Sequence, residues 1–196
     1  MAVVLTKVFD PPAPDFAEAV RYAGLPKTAE VPKTLHTVFS ELAPALSYKV
    51  CYAEYPVTVA GDTLDLGFAA VQSANLRTNL AGCDRVVLFA ATVGLAPDRL
   101  SEKYRRLSPE KALYANAIGA ERVESLCDAF CAFLAETNAT KPRFSPGYGD
   151  LPLSLQTAIF AALDCPRKLG VTLSDSLLMT PTKSVTALVG LCKNSP

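Results

Sequence analysis

The segment Arg85-Val86-Val87-Leu88-Phe89-Ala90-Ala91 constrains the fold more than any other stretch of this chain. Its apolar run is unbroken and rich in residues that favour extended backbone, and no polar residue alternates through it. Such a run suits a strand covered on both faces, so the chain must supply layers on either side of a sheet. Ser108-Pro109-Glu110 then reads as a helix start, with Ser as N-cap and Pro at the first helical position. From there Leu113, Ala117, Val123, Leu126, Phe130, Phe133 and Leu134 form the apolar side of one long helix running towards Glu136, with Gly119 as a tolerated weak point. A chain of 196 residues, half of them hydrophobic, can bury one ordinary core around these elements.

Shorter elements surround that pair. Asp15 caps a helix over Phe16 to Ala23, closed by Gly24 and Pro26, and a second helix spans Pro32 to Leu46. Ser47 to Val59 reads as strand, Gly61-Asp62 as a turn and Thr63 to Leu66 as the returning strand of a hairpin. Ser73 to Leu80 and Pro97 to Arg106 are helical, Asn138 to Pro152 is a loop, and Leu153 to Leu163 is a further helix. Val171 to Leu173 and Ser184 to Leu191 are strands. Helices interleave with strands, but the hairpin signals favour a mainly antiparallel or mixed sheet. The expected fold class is therefore α+β, one domain, with residues 1–46 as its N-terminal helical segment and 47–196 as its core.

Composition removes several functions. Lys and Arg total 19 and Asp and Glu total 19, so no charge excess points to nucleic acid or an anionic membrane. No apolar stretch reaches membrane-span length. The P-loop, the G-x-G-x-x-G fingerprint, the G-x-S-x-G elbow and H-E-x-x-H are all absent. The lone histidine, His36, leaves no partner for a histidine-based centre. Without a secretory leader, a cytoplasmic protein with reduced cysteines is expected. Cys127 and Cys131 share a helix face, and core packing is the preferred account of them over a metal pair.

The most unusual stretch is Arg143-Phe144-Ser145-Pro146-Gly147-Tyr148. Arg offers a planar fork for a carboxylate, Pro146 stiffens the chain, Gly147 permits positive φ and close approach, and Tyr148 adds a flat face with a hydroxyl. The plain account is a surface turn with a solvated arginine. Asp128 has apolar neighbours on the long helix, so it faces either a cleft, where it needs a partner, or solvent. Met179 follows the turn residues Ser174-Asp175-Ser176, and a lone Met is more often core than a cofactor contact.

Taken in order, these blocks resemble a known family. Leu88 to Leu95, the long helix through Ala120-Glu121-Arg122 to Ala129-Phe130, Arg143 to Tyr148, Gly170 to Ser176, Met179-Thr180-Pro181 and Ser184-Val185-Thr186 are similar to the S-adenosylmethionine (SAM)-binding activation domain of cobalamin (vitamin B12)-dependent methionine synthase. The resemblance covers roughly residues 85 to 190 and is to the short, stand-alone form of that domain. It implies a SAM-binding accessory component of a methyltransferase in methionine biosynthesis, rather than an independent enzyme. Such a component supports reductive activation and remethylation of cobalamin carried by a partner protein, methionine synthase or a related corrinoid protein, with a flavodoxin-like reductant. On matching positions it implies that Arg143 holds the SAM carboxylate, Asp128 accepts from the SAM amine, and Ser145 and Gly147 offer backbone to the ligand. It also implies that Tyr148 borders both SAM and the corrinoid, and that Met179 faces the corrinoid. Asp128 stands where the family has Glu, and Ser145 where the long form has a small apolar residue. The long form also carries C-terminal ligand-contacting aromatics that have no counterpart before Pro196. The rival implication is a docking module for another corrinoid methyltransferase, without SAM chemistry of its own.

Overall fold

In the computed structural model, residues 2–26 and 30–192 are described, so Pro196 lies outside the described residues. The chain runs β1 (Leu5–Val8), α1 (Phe16–Tyr22), α2 (Lys33–Leu42) and a short 3-10 turn at Ala43–Ala45. Next come β2 (Lys49–Pro56), β3 (Thr58–Ala60), β4 (Thr63–Asp65), β5 (Ala70–Val71) and α3 (Ala74–Asn79). β6 (Cys83–Thr92), α4 (Ala96–Tyr104), α5 (Pro109–Ala135) and β7 (Ala139–Thr140) follow. The last elements are α6 (Leu155–Leu163), α7 (Cys165–Leu169), β8 (Thr172–Leu173), β9 (Met179–Thr180) and β10 (Ser184–Cys192).

The main sheet has the order β1-β2-β6-β10-β7, and all its pairings are antiparallel. The apolar run is its centre, as the unbroken pattern requires: β6 sits between β2 and β10, and both faces are covered. Val86, Leu88 and Ala90 point into a core shared with α6, α7 and the small β3-β4-β5 sheet. Val87, Phe89 and Ala91 point the other way, against Val123, Leu126, Cys127 and Phe130 of α5. The Phe130 ring lies 4.8 Å from Phe89 and 5.1 Å from Tyr52. A buried side chain of this size contributes about 3 kcal/mol by area. α1 and α2 bury Val20, Leu35 and Val38 against Tyr114, Ala115 and Ile118, in the N-terminal half of α5.

Local chemistry explains most boundaries. The Asp15 side chain accepts from the Glu18 amide at 2.9 Å and caps α1, and Ser73 caps α3 through the Leu76 amide. Ser108 occupies the N-cap of α5, but its hydroxyl makes no capping bond, so the pre-set φ of Pro109 carries that start. The structure departs from expectation at its shortest elements and at one cysteine pair. β1, β5, β7, α7 and β9, each of five residues or fewer, lie where the sequence marks no element, because patterns that short are not distinguishable from loop. Cys83 and Cys192 are disulfide-bonded rather than reduced, because β6 and β10 are neighbours whose ends bring the two Cα atoms to 4.0 Å across a gap of 109 residues.

Candidate functional site

α5 carries two charged clusters one turn apart. The first is buried. Arg122 hydrogen-bonds both carboxylate oxygens of Glu121 and donates to the carbonyls of Pro12 at 2.6 Å and Ala13 at 3.0 Å. Glu121 in turn accepts from the Asp15 amide at 3.1 Å and the Ser125 hydroxyl at 2.7 Å. The proline-rich lead-in is thereby fastened to α5, and each nitrogen of the buried guanidinium has a hydrogen-bond partner.

The second cluster is the predicted site. Glu124 and Asp128, four apart on α5, present their carboxylates on one helix face. Arg143 reaches both: it donates to Glu124 at 2.6 Å and forms an ion pair with Asp128. Arg143 is 27 % exposed, Glu124 38 % and Asp128 71 %. Burial works against the arginine charge, but the hydrogen bond and charge of Asp128, with the charge of Glu124, hold its pKa above the ordinary value. Cys127 and Cys131 lie beneath, the first in the core, and burial pushes both thiols above their usual range. Tyr22, at the end of α1 and 4.4 Å from the Arg21 guanidinium, lies within reach of the Glu124 charge. Its hydroxyl is pushed up by burial first and then by the charge of Glu124.

The loop after Arg143 is fixed at both ends. Phe144 exchanges backbone hydrogen bonds with Leu188 of β10 at 2.8 and 2.9 Å. Asp150 places its carboxylate on Ser73 and on the amides of Ala74 and Asn75, at the start of α3. Between these anchors the Tyr148 amide donates to the Ser145 carbonyl at 3.1 Å, and the Gly147 amide to the Leu151 carbonyl at 2.9 Å. Gly147 has φ +85°, and a Cβ there would sit 3.2 Å from Leu153. The turn thus favours glycine by conformation, with Leu153 leaving little room for a side chain. Tyr148 meets Phe144 edge-on at 5.6 Å and is 71 % exposed.

The structure therefore brings Arg143 and Asp128 together as each other's partners and sets Ser145, Gly147 and Tyr148 on the adjoining rigid turn. Met179 lies on the separate β8-β9 hairpin, opposite Leu173, half-buried against the core. A cavity of about 600 Å³ lies beside that hairpin, lined by Phe160, Asp164, Ser174, Asp175 and Leu177. Glu124 and Tyr22 were not read from the sequence. The Glu124-Asp128 spacing of four was the available signal for the former; nothing local pointed to the latter.

Chemically, one guanidinium between two carboxylates carries a formal charge of −1. Three of its five N–H groups are not taken up by those carboxylates. The arrangement can accept a cationic group at the carboxylates and offer N–H donors to an anionic one.

No family model and no curated protein matches the chain. Among solved structures it is similar to the MetH reactivation domain crystallised with AdoHcy, with a TM-score of 0.71 and 14 % identity, over 99 % of this chain and 80 % of that one. The chain shares the fold of that domain: an α+β unit with an antiparallel sheet packed between helices.

Proposed function

We propose that this chain binds SAM at the Arg143 cluster and supports reductive remethylation of the cobalamin of methionine synthase, acting in trans. The observation that carries the reading is the Arg143 turn anchored against two α5 carboxylates, within a fold shared with a domain crystallised with AdoHcy. Charge complementarity supports it. SAM bears a sulfonium and an ammonium against one carboxylate, a net charge of +1, facing a cluster of −1. Arg143 holds the carboxylate through its remaining N–H groups, and Glu124 and Asp128 receive the ammonium. Ser145 and Gly147 line the ligand with backbone, and exposed Tyr148, with Met179 on its hairpin, faces the partner's corrinoid.

The chain's contribution is position and exclusion of water, because the chemistry belongs to the two small molecules. A reduced corrinoid on the partner would supply the nucleophile for the SAM methyl group; Arg143, Glu124 and Asp128 would hold SAM so that its sulfonium methyl faces that partner, and AdoHcy would be the leaving group. Incubation with isotopically labelled SAM, reductant and the cobalamin-bearing partner tests the proposal. Label in the methyl-cobalamin of the partner, dependent on this chain, supports it. Complex formation without label overturns it.

A second reading has its own observation. Arg143 is already neutralised by its own carboxylates, and Tyr148 is presented to solvent. Both suit a module that docks on a corrinoid protein without SAM chemistry.

A further inference from the structure

A cavity of about 390 Å³ lies between the end of α2, the start of β2 and the first half of α4, sharing no residue with the Arg143 cluster. Its walls are mostly apolar, with Leu42, Leu95, Ala96 and Leu100 prominent, and its polar lining comes from Glu41, Ser47, Arg99 and Lys103. That volume and mixture are typical of small-molecule sites.

The charges in this cavity do not cancel. Glu41 is held by Lys103 at 2.7 Å and by the Tyr104 hydroxyl at 2.7 Å, so that pair is neutral. The other carboxylates on α4 are also engaged. Asp98 accepts from the Thr182 amide at 2.8 Å and from its hydroxyl. Glu102 pairs with Arg105 at 3.1 Å. Arg99 pairs with no carboxylate among the described residues, although it lines the cavity. The Ser47 hydroxyl likewise has no hydrogen-bond partner among the described residues, while its amide is fixed to the Val93 carbonyl at 3.1 Å. The cavity therefore presents apolar walls, one unneutralised guanidinium and one free hydroxyl.

We propose that this cavity is a second ligand site, for a small monocarboxylate carried on a compact apolar body such as an aromatic or branched acid. Arg99 takes the carboxylate in its fork, Ser47 adds a donor, and Leu42, Leu95 and Leu100 cover the apolar part.

The test is a two-dimensional amide NMR titration of the intact chain with 3-phenylpropanoate and, separately, with its uncharged amide. The proposal predicts saturable shifts at Gly94, Leu95 and Leu100 with the acid, and affinity roughly tenfold weaker for the amide, the size of one charge-assisted hydrogen bond. It predicts a similar loss in Arg99→Ala and no loss in Arg106→Ala, which removes the same charge outside the cavity. Three outcomes overturn it: no saturable shift at these amides, equal affinity for acid and amide, or equal losses in the two arginine variants. None of them bears on SAM binding at Arg143.

Discussion

Arg143 donates to Glu124 at 2.6 Å and pairs with Asp128 one turn further along the same face of α5. The loop cation is therefore not a solvated turn residue. It is seated on two carboxylates that the long helix fixes in place, beside a turn clamped to β10 and α3. On the proposed reading, that relationship sets the charge of the ligand bound there.

Glu124→Gln raises the formal charge of the cluster from −1 to zero. SAM carries one more positive charge than AdoHcy, so the preference for SAM over AdoHcy falls roughly fivefold, as expected for one partly screened charge. Fold stability changes by less than about 1 kcal/mol, because the pair is partly exposed. Competition binding with the two ligands measures the ratio. An unchanged ratio contradicts this role for Glu124.

Arg122→Ala leaves Glu121 buried without its counter-ion and frees the Pro12 and Ala13 carbonyls. The expected loss is about 3–5 kcal/mol in urea denaturation. The Glu121→Gln, Arg122→Leu double variant recovers part of it, because no lone charge is then buried.

Asp150 gives a pH signature. The Ser73 hydroxyl and then the Ala74 and Asn75 amides hold its carboxyl below the ordinary value, against the opposing effect of desolvation. A depressed folded pKa stabilises the fold above the unfolded value and is lost as pH falls through the folded one. Acid titration of stability therefore shows a decline below the usual aspartate range, about pH 4, and Asp150→Asn flattens it. Equal slopes in the two proteins contradict the assignment.

Gly119→Ala improves helix propensity by about 1 kcal/mol in isolation, yet it destabilises this fold. The new Cβ would lie 2.7 Å from Pro97 Cβ and 2.9 Å from Lys183 Cγ. Overpacking of that kind costs about 1–3 kcal/mol, and the thermal midpoint drops.

What the sequence discloses, and what it hides, follows from the range of the interactions. The two-sided burial of β6, the α5 start at Pro109, the Asp15 cap and the hairpin at Gly61-Asp62 rest on neighbours in the chain, and all are legible. Gly119 reads as a weak point because helix propensity is local, whereas its purpose is the close approach of α4. The α+β class is legible from the mixture of hairpin and helix signals. The Cys83–Cys192 pairing is not, because it depends on strand order. Arg143 and Asp128 are legible as candidates, but their mutual pairing is not, since either one alone is compatible with solvent. Glu124 is hidden by its ordinary place on an amphipathic helix, and Tyr22 becomes relevant only when α1 packs on α5.

The most direct test of the central claim is titration calorimetry of the intact chain with AdoHcy, comparing wild type with Arg143→Ala. The account predicts saturable binding at one site in the wild type and a loss of at least roughly tenfold in the variant, since a charge-assisted pair is removed. No binding by the wild type, or equal binding by the two proteins, contradicts it.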